Sequence, residues 1–236
     1  SVSLYDDIYS TPGQKKYYVV NNVLETFTSK VGQFVEVMNL EEFGNALFID
    51  HEIQVAEKDE KIYSSSFFKS SYDLSKKISN VAIIGGGDGG VARECLENNT
   101  DYIDWYELDP EIVDTCYRHL PKICSKVRKS NKVNTYWGDA FDSIKSIEDS
   151  KYDKIFVDLN DDQYCIDLAK KNMKGLKRIL KEGGVITAQV GSQDKKPRQV
   201  ENWRKVLEKS FGNVTVSGVH IPSFDCNWNF ASSIMK

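Results

Sequence analysis

The stretch NVAIIGGGDGGVARECLENN, residues 80–99, ends an apolar run in five glycines interrupted by one aspartate, Asp88. Within it, Gly85, Gly87 and Gly90 match the pattern G-x-G-x-x-G, which occurs after a strand in several classes of nucleotide enzyme. Because glycine has no side chain, such a loop lets the backbone approach a ligand closely. The loop predicts a nucleotide-type site, and a tight turn without a ligand is the alternative.

Asp88 distinguishes between the ligands that such a loop could hold. A pyrophosphate would bring two negative charges close to its carboxylate, at a cost on the order of 1 kcal/mol per charge pair. A sulfonium nucleoside carries positive charge there instead. Asp88 therefore disfavours a nicotinamide dinucleotide, and it disfavours intact S-adenosylmethionine if its side chain turns toward the methionine carboxylate. Alternatively, Asp88 caps the helix that begins at Gly89, and the two roles can coexist.

Carboxylates also end the next two predicted strands. Glu107 ends YIDWYE about 20 residues after the glycine loop, where a carboxylate can accept hydrogen bonds from both ribose hydroxyls of an adenosine. Asp139 follows the third strand, and it can accept from an adenine amine next to the backbone N–H of Ala140. These two strand ends predict a ribose acceptor and a base acceptor.

The fourth strand ends in VDLNDDQYC, which clusters Asp158, Asp161 and Asp162. Carboxylates that face a sulfonium can deprotonate a nucleophile and hold a cationic substrate. The alternative is N-capping of the following helix, which accounts for Asp161 or Asp162. Capping does not explain Asp158, because it directly follows a continuous apolar strand.

Two patterns along the chain predict the elements that position these residues. Residues 17–57 alternate polar and apolar side chains between turn residues, which is typical of a small antiparallel sheet, and a helix is predicted over about 58–70. From residue 80, strands alternate with helices, which predicts a mostly parallel sheet covered on both faces. Ligands bind such sheets at the carboxyl ends of the strands. The predicted domains are therefore 1–57 and 58–236.

Some weaker features also carry expectations. The stretch SKVRKSNK, residues 125–132, reads as a solvated basic loop, and DLAKKNMKGLKRILKEGG reads as a helix stopped by Gly183. His51, His119 and His220 lie far from the motifs and are expected to be structural or surface residues.

Composition narrows the function classes further. The chain has 236 residues, a formal net charge of −4 and no apolar run of about 18 residues. These features argue against nucleic-acid and membrane partners, and the polar N-terminus does not resemble a signal peptide. The five cysteines are scattered and never at metal-binding spacing, so we expect reduced thiols in a cytoplasmic protein without a bound metal.

Together the motifs resemble those of the polyamine aminopropyltransferases, the family typified by spermidine synthase. The resemblance covers most of the chain in the same order and spacing. Its stretches are FGNALFIDHEIQVAEKDEKIY, NVAIIGGGDGGVARE, YIDWYELDPEIVD, GDAF, YDKIFVDLND, GGVITAQ and IPSF. It implies a Rossmann-like methyltransferase fold with an N-terminal β-domain and a homodimer or homotetramer. It also implies transfer of an aminopropyl group from decarboxylated S-adenosylmethionine, as co-substrate and without a permanent cofactor, to putrescine or a related amine.

The resemblance also assigns roles to individual residues. Those that it assigns to the nucleoside donor are Gln33, Gln54, Gly85, Gly86, Gly87, Asp88, Glu107, Asp139 and Ala140. Asp88 would hold the ammonium of the donor. Asp158 would be the general base, and Tyr63 would orient the attacking nitrogen. Asp161 would face the far ammonium of a diamine, in a pocket lined by Gln189.

Three departures from the family pattern lie on the amine side. The Pro/Gly-rich loop that follows the aspartate pair in the family is shortened here to DQYC, Ser64 replaces the usual His, and Phe224 replaces the usual Tyr. Two alternatives therefore stay open at this point. One is a transferase that moves a methyl or aminocarboxypropyl group from intact S-adenosylmethionine, and the other is a non-catalytic protein that binds nucleoside or polyamine.

Overall fold

The computed structural model describes residues 3–6 and 13–236, which form two β-sheets with helices around the second. The N-terminal sheet is antiparallel, with its strands in sequence order. Its strands are β1 (Ser3–Asp6), β2 (Tyr17–Thr28), β3 (Phe34–Leu40), β4 (Gly44–Ile49) and β5 (Glu52–Ala56). Asp50 and His51 both have positive φ at the hairpin between β4 and β5. The antiparallel sheet expected from the alternating pattern is confirmed.

The second sheet has seven strands in the order β11-β12-β10-β9-β6-β7-β8. Neighbours from β10 to β8 are parallel, whereas β12 is antiparallel to both β10 and β11. The strands are β6 (Asn80–Gly85), β7 (Tyr102–Glu107), β8 (Val133–Trp137), β9 (Tyr152–Asp158), β10 (Leu180–Gly191), β11 (Thr215–Ile221) and β12 (Cys226–Ile234). The mostly parallel sheet is confirmed.

Seven helices are present in the described part of the chain. They are α1 (Glu60–Tyr72), α2 (Gly90–Glu97), α3 (Pro110–His119), α4 (Pro121–Lys129), α5 (Ala140–Ile144), α6 (Gln163–Ile179) and α7 (Pro197–Phe211). A short 3-10 turn, Pro222–Phe224, joins β11 to β12. None of these helices is long and apolar enough to cross a membrane.

Two expectations about helices were wrong. The basic stretch 125–132 is not a loop, because α4 extends to Lys129 and buries Ile123, Cys124 and Val127 while its basic residues stay outside. Proline at the first position of α4 favours this start. The helix before the glycine pair ends at Ile179 rather than at Gly183, since the chain enters β10 at Leu180.

Alternate residues along the central strands pack into different cores. Phe156 lies in one core, on the side of α1 and α2, whereas Ile155 and Val157 lie in a second core with α5, α6 and α7. A third core joins Val35 and Leu47 of the N-terminal sheet to α3 and α4. This arrangement brings the N-terminal sheet to the carboxyl edge of the parallel strands, where the predicted site residues lie.

Candidate active site

The floor of the site is formed where β6 and β9 end side by side. Gly85 pairs with Asp158 across the two strands, and the Gly86 N–H donates to the Asp158 carbonyl at 3.2 Å. A Cβ on Gly85 would lie 2.3 Å from that carbonyl oxygen, and φ at Gly85 is +82°. Glycine is therefore required here to bring the loop against the end of β9.

Asp88 caps the helix that follows the glycine loop. Its Oδ1 accepts a hydrogen bond of 2.7 Å from the Gly90 N–H, and Gly89 adopts the left-handed conformation at the N-cap position. Burial and the nearby carboxylates of Glu60 and Asp158 raise the pKa of Asp88 to about 8. The capping interpretation is confirmed, and the raised pKa marks a site where a cationic ligand would favour the ionised form.

A buried ion pair lies behind Asp88. Arg93 of α2 donates to Glu60 Oε1 at 2.6 Å and to Glu94 Oε2 at 3.0 Å, and all three side chains are buried. A Cβ on Gly90 would lie 2.5 Å from Glu60 Oε2, so α1 and α2 approach closely at this point. This pair was not predicted, although Glu60 stands in the segment EKDEKIY and Arg93 in GGVARE.

A small cavity of about 100 Å³, here called the amine cavity, lies between Asp88, Asp158 and Asp161. Tyr63 Oη donates to Asp158 Oδ1 at 3.0 Å. Burial raises the pKa of Asp158 to about 6, and the hydrogen bond from Tyr63 acts in the opposite direction. Asp158 is thus a more basic carboxylate than an ordinary aspartate, yet it is mostly ionised at neutral pH.

The far end of the amine cavity is polar and closely packed. Asp161 is 4% exposed. When the amide nitrogen of Gln199 is oriented toward Asp161, it donates a hydrogen bond of 3.1 Å to Asp161 Oδ2. A Cβ on Gly191 would lie 2.5 Å from Asp161 Oδ2. Gln189 accepts a hydrogen bond of 2.9 Å from the Trp228 indole and donates to the Leu159 carbonyl.

A larger cavity of about 410 Å³, here called the nucleoside cavity, opens beside β7 and β8. Burial raises the pKa of Glu107 to about 7, with a smaller opposing contribution from the Asp109 N–H. Asp139 uses Oδ1 to accept from the Phe141 N–H at 2.9 Å, as the N-cap of α5. Gln33 reaches this cavity from the turn between β2 and β3, and its amide donates to Asp109 Oδ2 at 2.9 Å.

The two cavities are continuous. Gln54, Gly86, Gly87 and Asp158 line both of them, so Asp158 stands at their junction. Every predicted site residue lines one cavity or the other: Gln33, Gln54, Tyr63, Gly85, Gly86, Gly87, Asp88, Glu107, Asp139, Ala140, Asp158, Asp161 and Gln189. The fold therefore brings all of them together, and their individual roles stay predictions.

The residues that depart from the family pattern occupy different places. Phe224 lines the amine cavity, but Ser64 is buried in α1 outside both cavities, and its hydroxyl has no hydrogen-bond partner among the described atoms. The shortened loop consists of residues 159–162, which connect β9 to α6. Its last residue, Asp162, caps α6 by accepting a hydrogen bond of 2.9 Å from the Cys165 N–H. Capping by one of the two aspartates is confirmed.

Other residues of the site were not predicted. Asn160, Trp228 and Glu52 line the amine cavity, and Leu108 and Ile112 line the nucleoside cavity. Leu108 could have been found because it directly follows Glu107 at a strand end. Trp228 stands in the segment DCNWN near the end of the chain, outside the stretches that carry the family resemblance.

Family models match both parts of the chain. A family model described as the spermine/spermidine synthase domain matches residues 60–236, and one described as the spermidine synthase tetramerisation domain matches residues 5–57. The chain belongs to the spermine/spermidine synthase family. Its N-terminal sheet is thus the part that corresponds to an oligomerisation unit.

Relatives in this family agree with that assignment. The chain is 28% identical over 225 residues to a polyamine aminopropyltransferase of Korarchaeum cryptofilum, covering 94% of this chain and 70% of the relative. It is 32% identical over 210 residues to a polyamine aminopropyltransferase of Prochlorococcus marinus, covering 85% of this chain and 72% of the relative.

Solved structures show the same fold. The spermidine synthase of Thermotoga maritima superposes with a TM-score of 0.86 at 18% identity, over 99% of this chain and 79% of that one. A spermidine synthase in complex with the transition-state analogue AdoDATO gives a TM-score of 0.90 at 18% identity, over 99% and 80%. The Rossmann-like fold with an N-terminal β-domain is confirmed.

Proposed function

We propose that this chain is an aminopropyltransferase. It transfers the aminopropyl group of decarboxylated S-adenosylmethionine to putrescine or a related amine, and it releases 5′-methylthioadenosine. The observation that carries the proposal is the position of Asp158. This carboxylate of raised pKa stands where a nucleoside-sized cavity meets a small cavity with Asp88 and Asp161 on its walls.

The donor side of the proposal rests on complementary charge. In the nucleoside cavity, Glu107 accepts from the ribose hydroxyls, and Asp139 with Ala140 binds the base edge. Gln33 and Gln54 approach the donor from the N-terminal sheet, and Gly85, Gly86 and Gly87 leave room for it. Asp88 binds the ammonium of the aminopropyl arm, which a carboxylate-free donor presents without a competing negative charge.

The chemical step is a displacement at carbon. The neutral amine nitrogen attacks the aminopropyl carbon next to the sulfonium sulfur, a C–N bond forms, and the C–S bond breaks with its electron pair going to sulfur. Asp158 takes the proton that the nitrogen loses, and a carboxylate of pKa about 6 does this better than one of ordinary pKa. Tyr63 holds Asp158 in place, and alignment of the two substrates supplies much of the rate.

The amine side of the proposal requires two carboxylates in a short cavity. A diamine is protonated on both nitrogens near pH 7. The attacking nitrogen must lose its proton, and Asp161 neutralises the ammonium that remains at the other end. The amide of Gln189 is held by Trp228 at the same end. The volume of about 100 Å³ fits a short diamine such as putrescine better than a longer polyamine.

The decisive experiment is a product assay on the purified full chain. Incubation with decarboxylated S-adenosylmethionine and putrescine should yield 5′-methylthioadenosine and spermidine, detected by mass spectrometry. A parallel reaction with intact S-adenosylmethionine tests methyl and aminocarboxypropyl transfer. Absence of methylthioadenosine across a panel of diamines and polyamines would refute the proposal.

The proposed assembly is a homodimer or homotetramer through the N-terminal sheet. Exposed apolar side chains of that sheet, among them Leu4, Tyr17 and Val23, supply an apolar surface for subunit contacts. Light scattering after size-exclusion chromatography should give two or four times the monomer mass of 26.9 kDa. A monomer at micromolar concentration would exclude this assembly.

A further inference from the structure

The wall of the nucleoside cavity that follows Asp158 is a helix rather than a long loop. Only residues 159–162 separate β9 from α6, and the first turn of α6 lines the cavity directly. Gln163 ties this turn to its surroundings, because its side chain accepts from Asn202 of α7 at 3.0 Å and donates to Asp167 at 2.8 Å. The wall is therefore preformed.

One side chain on this turn stands out from the rest of the surface. Tyr164 is 75% exposed, more than any other large apolar side chain in the described part of the chain, yet it lines the nucleoside cavity. Leu108, which is 54% exposed at the end of β7, lines the same cavity, and so does Leu168 one turn further along α6. Exposed apolar groups that edge one cavity are suited to a ligand with an apolar face.

The two carboxylates proposed to bind the sugar and the base lie on other elements. Glu107 ends β7 and Asp139 precedes α5, so hydrogen bonds to the sugar and to the base edge come from that side. Such hydrogen bonds leave the faces of the base unsatisfied. A purine face stacks favourably on an aromatic ring, because every base has an apolar π-surface.

We propose that Tyr164 stacks on the purine base of the bound donor. Leu108 and Leu168 complete the apolar lining around the base. Tyr164 would thus bind the donor directly, at the place where the family pattern has a Pro/Gly-rich loop. The inference rests on the proposed function, since that function places a nucleoside in this cavity.

The test is calorimetry with 5′-methylthioadenosine on the full chain. Tyr164→Ala should weaken binding about 5- to 100-fold, the range that loss of one base–aromatic stack gives. Tyr164→Phe keeps the ring and should bind within about twofold of the wild type. In the transferase assay, Tyr164→Ala should raise the KM for the donor and leave the KM for the amine unchanged.

The control is Lys170→Ala, an exposed change on the same helix outside both cavities, which should leave nucleoside binding unchanged. A second readout is nitration of tyrosines mapped by mass spectrometry. Methylthioadenosine should protect Tyr164 and leave Tyr136, which is 42% exposed and lines neither cavity, reactive.

The outcomes distinguish failure of the stacking inference from failure of the proposed transferase function. If the wild type binds methylthioadenosine and Tyr164→Ala binds it equally well, the stacking role is wrong and the transferase proposal stands. Weakening by Tyr164→Phe as large as that by Tyr164→Ala also contradicts stacking, because it assigns the effect to the hydroxyl. A wild type that does not bind the nucleoside overturns both proposals.

Discussion

Tyr63 Oη donates to Asp158 Oδ1 across 3.0 Å, and this hydrogen bond joins α1 to the end of β9. Burial and the charge of Asp158 raise the pKa of Tyr63 well above its usual value, so the phenol stays protonated and remains a donor. The same bond opposes the effect of burial on Asp158. The pair is therefore held in the state in which Asp158 can accept a proton at neutral pH.

Replacing Asp158 by Asn should reduce turnover by about 10²- to 10⁴-fold, because the amide cannot accept the proton of the amine. Binding of 5′-methylthioadenosine should change little, since the proposed nucleoside contacts of Glu107, Asp139 and Ala140 are unchanged in this variant. Single-turnover assays and calorimetry measure the two effects. Asp167→Asn, the same chemical change at an exposed position of α6 outside the cavities, is the matched control. Undiminished turnover in Asp158→Asn would remove Asp158 from the role of base.

Replacing Tyr63 by Phe should shift the acidic limb of the pH profile of kcat/KM to higher pH. Wild-type activity should rise with pH through the pKa of Asp158, about 6, because only the ionised carboxylate accepts a proton. Loss of the hydrogen bond removes the influence that lowers this pKa, so the limb should move about 1 pH unit toward alkaline values. Tyr72→Phe on the same helix should leave the profile in place. A limb that stays fixed in Tyr63→Phe would separate the tyrosine from the titrating group.

Replacing Asp88 by Asn should weaken the preference for the decarboxylated donor. The wild type should bind decarboxylated S-adenosylmethionine more tightly than the intact compound, and the variant should lose roughly 5- to 30-fold of this preference. Asn keeps the side-chain oxygen that caps α2, so the loop itself should persist. The control ligand is 5′-methylthioadenosine, which has neither ammonium nor carboxylate and should bind both proteins equally. Equal preference in wild type and variant would show that Asp88 does not select the donor.

The stability of the unliganded protein should fall as the pH rises from about 4 to 8. Burial raises the pKa of Asp158 to about 6, of Glu107 to about 7 and of Asp88 to about 8. In this window the folded chain binds more protons than the unfolded chain, so the free energy of unfolding decreases with pH.

Urea denaturation at pH 5 and pH 8 measures this fall in stability. Asp88→Asn should narrow the difference between the two values by on the order of 1 kcal/mol, a figure reduced for the partial exposure of the carboxylate. If the free energy of unfolding changes equally between pH 5 and pH 8 in the variant and the wild type, Asp88 does not contribute to the fall in stability.

The carboxylates at the strand ends could be located from the sequence because a continuous apolar run gives way there to a polar residue. Asp158 follows a continuous apolar run, and this pattern placed it at the carboxyl edge of the sheet beside Gly85. Helix α4 was missed because its basic residues obscured a short apolar stripe, Ile123, Cys124 and Val127. Charged residues outnumber apolar residues in such a segment, but the burial of the three apolar side chains stabilises the helix.

Contacts between distant segments could not be predicted from local pattern. The ion pair of Arg93 with Glu60 spans 33 positions and depends on how closely α1 approaches α2. Likewise, the exposure of Tyr164 at the edge of the nucleoside cavity depends on the first turn of α6, which begins at Gln163 and precedes the segment DLAKKNMKGLKRILKEGG that was predicted as helix. Residues whose role depends on such packing carry no periodic signal of their own.

The contact between Gly191 and Asp161 constrains how this site can diverge among descendants of the gene. A methyl group at position 191 would stand 2.5 Å from Asp161 Oδ2, and φ there is +87°. Any lineage that acquires a larger residue at 191 must therefore first lose or move the carboxylate at 161. Shortening the side chain at 161 removes this contact, while the positive φ at 191 still favours glycine. Loss of the carboxylate at 161 should therefore precede loss of the glycine at 191.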